Sequence, residues 1–186
     1  MAGTLTPAGR RVLDAAAALF YERGIHAVGV EAIAAAAGVT KKTLYDRFGS
    51  KDALVAAYLT ERHERWQRWL AEQLERATPA ERPLAPFDAL ASWLPQESPR
   101  GCAFVNAHAE LTSDDDRGRA VVREQKAWTL DLFTRLVAET GARDPAGIAA
   151  QLFMLHEGAT VAYSVAGDAD APRTARAAAA ALLANA

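Results

Sequence analysis

Residues 38–54 read GVTKKTLYDRFGSKDAL, and this stretch decides how the rest of the chain is arranged. Thr40 is an N-cap residue and Gly49 a stop. Between them Leu44 and Phe48 stand at i, i+4, so a short helix over Lys41–Phe48 buries a two-residue stripe. Lys41, Lys42, Thr43, Tyr45 and Arg47 remain on its outward part. Ser50 then caps a further helix. Asp52 falls in its first turn, where a carboxylate suits the positive helix end.

The residues upstream complete the pattern. EAIAAAAG, residues 31–38, predicts another short helix with Ile33, Ala34 and Ala37 inward, and Gly38 permits a tight turn. Thr6 and Pro7 open a longer helix that runs to Arg23 and ends at Gly24. Its apolar stripe is Val12, Ala15, Ala16, Leu19 and Phe20. Two short helices joined by AGVT after a longer one have the layout of a helix-turn-helix. Val39, Leu44 and Phe48 would lock the second short helix onto Ala34 and Phe20. In this motif the first residues of the second helix reach base edges in the major groove. Lysine and arginine neutralise phosphates or bond guanine, threonine bonds bases or touches a thymine methyl, and a tyrosine hydroxyl bonds phosphate. Lys51 adds an ammonium beside free backbone N–H groups, a place that suits a phosphate. Thr40, Lys41, Lys42, Thr43, Tyr45, Arg47 and Lys51 are therefore the candidate contacts to double-stranded DNA. The bland alternative is a solvated helix face.

Charge agrees with that reading. The chain is 186 residues long with a net charge of −2, yet residues 1–55 carry seven Lys/Arg against five Asp/Glu. Three of the four lysines, Lys41, Lys42 and Lys51, cluster there, while the body uses arginine almost throughout. A mildly basic head on an acidic body suits an anionic partner at the head.

The body reads as helices too, because sustained period-two alternation is missing. A long helix over 51–76 presents Val55, Tyr58, Leu59, Arg62, Trp66, Trp69, Leu70 and Gln73 on one broad face. ATPAERPLAP, residues 77–86, is a break, then a helix covers about 87–94, and PQESPRG breaks the chain again. CAFVNAHAEL is a short helix with Cys102 in its first turn, and TSDDDRG a loop or cap. Residues 117–140 form a helix with Val121, Gln125, Trp128, Leu132 and Leu136 inward. Helices over 145–166 and 172–184 follow, for an all-α chain of about nine helices.

The segment over residues 10–57 resembles the tetracycline-repressor (TetR) family of bacterial transcriptional regulators. Residues 16–24 carry its "A..LF...G" pattern and residues 33–54 its "I...AGV....LY..F..K..L" core. Past residue 60 the resemblance extends only to helix count and layout. It implies an N-terminal three-helix helix-turn-helix DNA-binding domain, residues 1–50, and a C-terminal helical effector-binding and dimerisation bundle, residues 51–186. By the motif, Leu44 and Phe48 carry the core role, and Lys42, Thr43, Tyr45 and Lys51 the DNA-contact role. Family members often have a small residue at position 42. Lys42 either gives this chain its own base preference or touches only phosphate.

A homodimer is expected on physical grounds as well. Two recognition helices about 34 Å apart, or a multiple, read a palindromic operator. The 145–166 helix is apolar beyond one stripe, through Ile148, Leu152, Phe153, Leu155, Ala159, Val161 and Val165, and the last helix is rich in alanine. Such helices bury two faces, which suits an intermolecular four-helix bundle. The alternative is a buried monomer core.

Trp66, Trp69, Trp93, Phe104, Trp128, Phe133, Phe153 and Tyr163 are candidates to line an apolar cavity for the expected small-molecule effector, the alternative being that aromatics at helical spacing are core, with Asn106, His108 and His156 as polar groups beside Glu157. Those polar groups either satisfy one another and the backbone or orient a ligand. Cys102, with Arg100 nearby at a helix start, has surroundings that favour a thiolate. Its "RGC" segment also resembles a subset of TetR-like regulators with an oxidant- or electrophile-sensing cysteine. The alternative is an inert small residue.

Other classes fit less. A cysteine-dependent enzyme would need Cys102 with His108 or His156 and Glu110, but no spacing brings them together, so no catalytic residue is assigned. A helical interaction module leaves the polar face of 41–47 unexplained. The four histidines are scattered without ligand spacing, so no metal or cofactor is expected. The start MAGTLTPAGRR lacks a signal peptide's apolar region, and no run is long enough to span a membrane. The expectation is a cytoplasmic protein with no membrane partner.

Overall fold

The computed structural model describes residues 5–113 and 116–185. Residues 1–4, Asp114 and Asp115 of the TSDDDRG segment, and Ala186 lie outside the described residues. The described chain is all-α, with α1 Pro7–Arg23, α2 Val30–Ala36, α3 Lys41–Phe48, α4 Lys51–Arg76, α5 Ala85–Glu97, α6 Ala103–Glu110, α7 Arg117–Ala138, α8 Pro145–Ala166 and α9 Ala171–Ala184. Packing divides it into two units. The first comprises Met1–His63 and Ala103–Arg123, the second Glu64–Cys102 and Glu124–Ala186.

In the first unit local chemistry sets the helix ends. The Thr6 hydroxyl accepts from the Gly9 N–H at 3.2 Å, and the Thr40 hydroxyl accepts from the Thr43 N–H at 3.1 Å. Gly38, at φ +61°, makes the turn that a side chain with a Cβ would strain. Val12, Ala16, Phe20, Ile33, Ala34 and Leu44 are buried, so α1, α2 and α3 close on one small core. Phe48 is only half-buried, because it sits in the last turn of α3, and Leu44 is the anchor. Gly118 opens α7 against this unit. A Cβ there would meet Leu111 at 2.6 Å and Val55 at 3.1 Å, so glycine permits the close approach.

The second unit has the larger core: Trp66, Leu70, Phe87, Leu90, Trp93, Leu94, Phe133, Leu136, Val137, Leu152 and Ala179 among others. α5 runs further than the prolines predicted, over 85–97 rather than about 87–94. Pro83 and Pro86 are the second residues of a 3-10 turn and of α5, within the first turn where the N–H has no partner to lose. Pro95 is inside the helix two residues before its end. In α7 the inward stripe is rotated from the expected one: Val122, Gln125, Thr129, Leu132, Phe133, Leu136 and Val137 are buried, while Val121 and Trp128 are at its edges. Cys102 precedes α6 instead of lying in its first turn. α8 and α9 pack together, and their other side is an open apolar trough of about 810 Å³ lined by Met154, Gly158, Ala162, Ala178 and Leu182 among others. Met154 and Val165 are 64% and 81% exposed, unusual for apolar side chains of that size. Among the described residues no helix is long and apolar enough to cross a membrane.

Candidate functional site

Burial of Leu44 turns the remaining side chains of α3 outward. Lys41, Lys42, Tyr45 and Arg47 are exposed and Thr43 is half-buried. The capping arrangement fixes the start of this surface, because the Thr40 and Thr43 hydroxyls are also bonded to each other at 2.9 Å. Both lysines have carboxylate partners: Lys41 pairs with Glu31 of α2, and Lys42 with Asp46 one turn on at 2.7 Å. Exposed pairs of this kind are weak.

Lys51 behaves differently. Its ammonium donates to the Ile25 carbonyl at 2.6 Å and lies 5.9 Å from the centre of the Phe20 ring. Burial pulls its pKa below the usual lysine value, against a counter-pull from Glu110. Lys51 thus braces the segment after α1. Glu110 closes on the same segment, accepting from the backbone N–H groups of Ile25 at 2.9 Å and His26 at 2.7 Å. Nothing in the sequence pattern marks that contact, which spans more than eighty residues.

The aromatic candidates of the body separate. Trp66, Trp93 and Phe133 form a buried group with Phe87, and Trp69 joins it at 5.5 Å from Trp93. His156 is in the middle, its ring 5.9 Å from those of Trp66 and Phe87 and 5.8 Å from Phe133. Trp128, Phe153 and Tyr163 pack partly buried against the same core. Phe104 belongs to the first unit, where it meets the His63 ring edge-on. Asn106 and His108 are exposed on α6.

Cys102 is half-buried, and the Lys126 ammonium is 3.5 Å from its sulfur. The same ammonium donates to both oxygens of Glu157, at 2.8 and 2.6 Å. Burial would lower the Lys126 pKa, but Cys102 and Glu157 together raise it above the usual value. Burial would raise that of Glu157, but His156 and the Lys126 ammonium bring it down to about 2. Lys126 was not among the candidates from sequence. The available signal was its being the one lysine in a body that otherwise uses arginine. Glu110, the carboxylate of the enzyme alternative, has its oxygens on backbone N–H groups, and Cys102 has Lys126 as its polar neighbour.

The comparisons with known proteins agree with this geometry. Residues 12–58 match the model of bacterial regulatory proteins of the tetR family. An HTH-type transcriptional regulator of Mycobacterium tuberculosis strain CDC 1551 is 30% identical over 165 residues, covering 75% of this chain and 78% of the relative. The chain belongs to the TetR family. It is thus a DNA-binding transcriptional regulator and not an enzyme. The TetR-family regulator SCO4454 of Streptomyces coelicolor superimposes with a TM-score of 0.88 at 30% identity, covering 96% of this chain and 95% of that one. The transcriptional repressor KstR2 of Rhodococcus jostii is 51% identical over 49 residues, about a quarter of each chain. The family match covers α1, α2 and α3, the three-helix head that leaves the polar side chains of α3 outside its core.

Proposed function

We propose that this TetR-family chain is a cytoplasmic homodimeric repressor that leaves a palindromic operator when a small apolar molecule binds its body. The observation that carries the reading is the exposed edge of α3, with Lys41, Lys42, Tyr45 and Arg47 projecting beyond a buried Leu44. Residues 1–50 serve DNA binding, and 51–186 effector binding and dimerisation. Repression is supported by likeness to a named repressor over the head. Dimerisation through α8 and α9 is supported by the apolar trough and by the exposure of Met154, Val161 and Val165. Fluorescence anisotropy with DNA from upstream of the protein's own gene tests the reading. Binding should weaken steeply with salt, by a slope of about −0.9 in log–log terms for each phosphate neutralised. Salt-insensitive or absent binding would remove it.

One contact favours a second mode of release. Reactive cysteines lie in electropositive, partly exposed surroundings, and Cys102 has the Lys126 ammonium at 3.5 Å. Alkylation of Cys102 by an electrophile would then replace, or add to, the reversible ligand. Release of the DNA by N-ethylmaleimide in wild type but not in Cys102→Ser supports this mode. Equal release, or none, returns Cys102 to a packing role.

A further inference from the structure

Glu31 is a carboxylate at an unfavourable place. It is in the first turn of α2, its side chain is 70% exposed, and it pairs with Lys41, the first residue of α3. The first residues of the second helix of a helix-turn-helix are those that reach base edges. A free carboxylate beside them would repel the phosphates that flank the groove. Its position is nonetheless set from two directions. Oε1 takes the Lys41 ammonium, and Oε2 is 3.3 Å from where a Cβ on Gly29 would stand. The bond from Lys41, and after it the backbone N–H of Glu31 itself, hold its pKa below the usual value. The group therefore stays ionised and can only accept. Lys42 differs, because its partner Asp46 is on α3 itself, one turn on. Lys41 and Glu31 join the two helices and present a donor and an acceptor side by side. The ammonium has three donors, of which Glu31 takes one. The major groove holds a complement to this pair. Guanine offers two neighbouring acceptors, N7 and O6, and its paired cytosine a donor, N4–H. Adenine has one acceptor beside its donor, and thymine adds a methyl group, so an A·T pair fits less well.

We infer that Glu31 reads DNA together with Lys41: the ammonium bonds N7 and O6 of a guanine, the carboxylate accepts from N4 of the paired cytosine, and the two side chains specify one G·C base pair in each half-site. The inference rests on the reading of α3 as the helix that enters the groove, and adds to it a residue of α2. Glu31 lowers affinity for DNA in general, through its charge, and raises selectivity. Facing any other base pair, its carboxylate loses the N4–H donor and keeps the repulsion from phosphates.

Competition anisotropy tests it, with the full chain, the operator footprinted upstream of its own gene, and symmetric base-pair variants of that operator. Wild type should lose at least about fivefold in affinity when one particular G·C pair of each half-site becomes A·T or C·G, the discrimination such a contact gives. Inosine in place of that guanine should bind as before, because only the minor-groove edge changes. 7-Deazaguanine, which lacks the N7 acceptor, should weaken binding by wild type but not by Lys41→Ala. Glu31→Ala should bind non-specific DNA more tightly and lose the discrimination at that base pair alone. Lys41→Ala should lose it at the same base pair, and Glu31→Gln, which keeps an acceptor oxygen, should retain part of it. Both positions are exposed, so the fold should survive. A Glu31→Ala chain that changes affinity for all sequences alike would overturn the inference. So would Glu31→Ala and Lys41→Ala acting at different base pairs, or both acting at an A·T pair. Operator selection by wild type that Glu31→Ala leaves unchanged removes this inference and keeps α3 as the reading helix. Wild type that binds no DNA removes both.

Discussion

Glu110 Oε2 accepts a hydrogen bond from the backbone N–H of His26 at 2.7 Å, and so the last residue of α6 holds the segment that leaves α1. The other oxygen takes the Ile25 N–H at 2.9 Å. Gly24, at φ +89°, brings those two N–H groups together, and a Cβ there would be 3.0 Å from the carboxylate. Charge-assisted bonds to backbone N–H groups are stronger than neutral ones. Glu110→Ala should therefore destabilise the chain by about 1–3 kcal/mol. Gly24→Ala should destabilise it as well, through both φ and contact. Urea unfolding curves measure both. An unchanged midpoint in Glu110→Ala would show that the contact is not maintained in solution.

The two kinds of polar residue on α3 should separate in DNA binding. Lys42→Ala should lower affinity for all sequences alike and reduce the salt slope by about 1 if the ammonium meets phosphate. Thr43→Val should instead change which operator variant is preferred. Competition titrations against a set of operator variants distinguish them. Equal loss on specific and non-specific DNA for Thr43→Val counts against base reading there.

Acid should act through Glu157. Its folded pKa of about 2 lies below the ordinary carboxylate value of 4.5. A carboxyl with a lowered folded pKa contributes stability that is present above the unfolded value and is lost as pH falls through the folded one. The loss should thus fall between about pH 4.5 and 2, and amount to about 3 kcal/mol when complete. Glu157→Gln should be less stable at pH 7 and should lack this part of the acid dependence. Parallel pH profiles for the two chains that differ only by a constant would contradict the assignment.

The trough on α8 and α9 should be an association surface. Met154→Glu places a charge at a 64%-exposed position, so the fold should survive. Sedimentation velocity should show the variant as a monomer at concentrations where wild type is a dimer. Its DNA affinity should drop more than tenfold, because one recognition helix makes few contacts. A variant that remains dimeric would place the interface elsewhere.

Local signals in the sequence were enough for most of this fold. Thr6, Thr40 and Ser50 start helices, Gly24 and Gly49 end them, and Leu44 points inward because neighbours along one helix decide its buried side. The exposed polar face of α3 was legible for the same reason: it is what remains when Leu44 is buried. Local signals fail where an outcome depends on distant partners. Pro95 stands inside α5, and the α7 stripe is rotated toward Val122, Thr129 and Phe133, because packing against other helices selects the buried face. Only the tertiary structure put Glu110 on the segment after α1, Lys126 between Cys102 and Glu157, and His156 among Trp66, Phe87 and Phe133. A hydrogen bond or a ring contact is set by distances of a few ångströms in space, and spacing along the chain carries that information only within a helix turn or two.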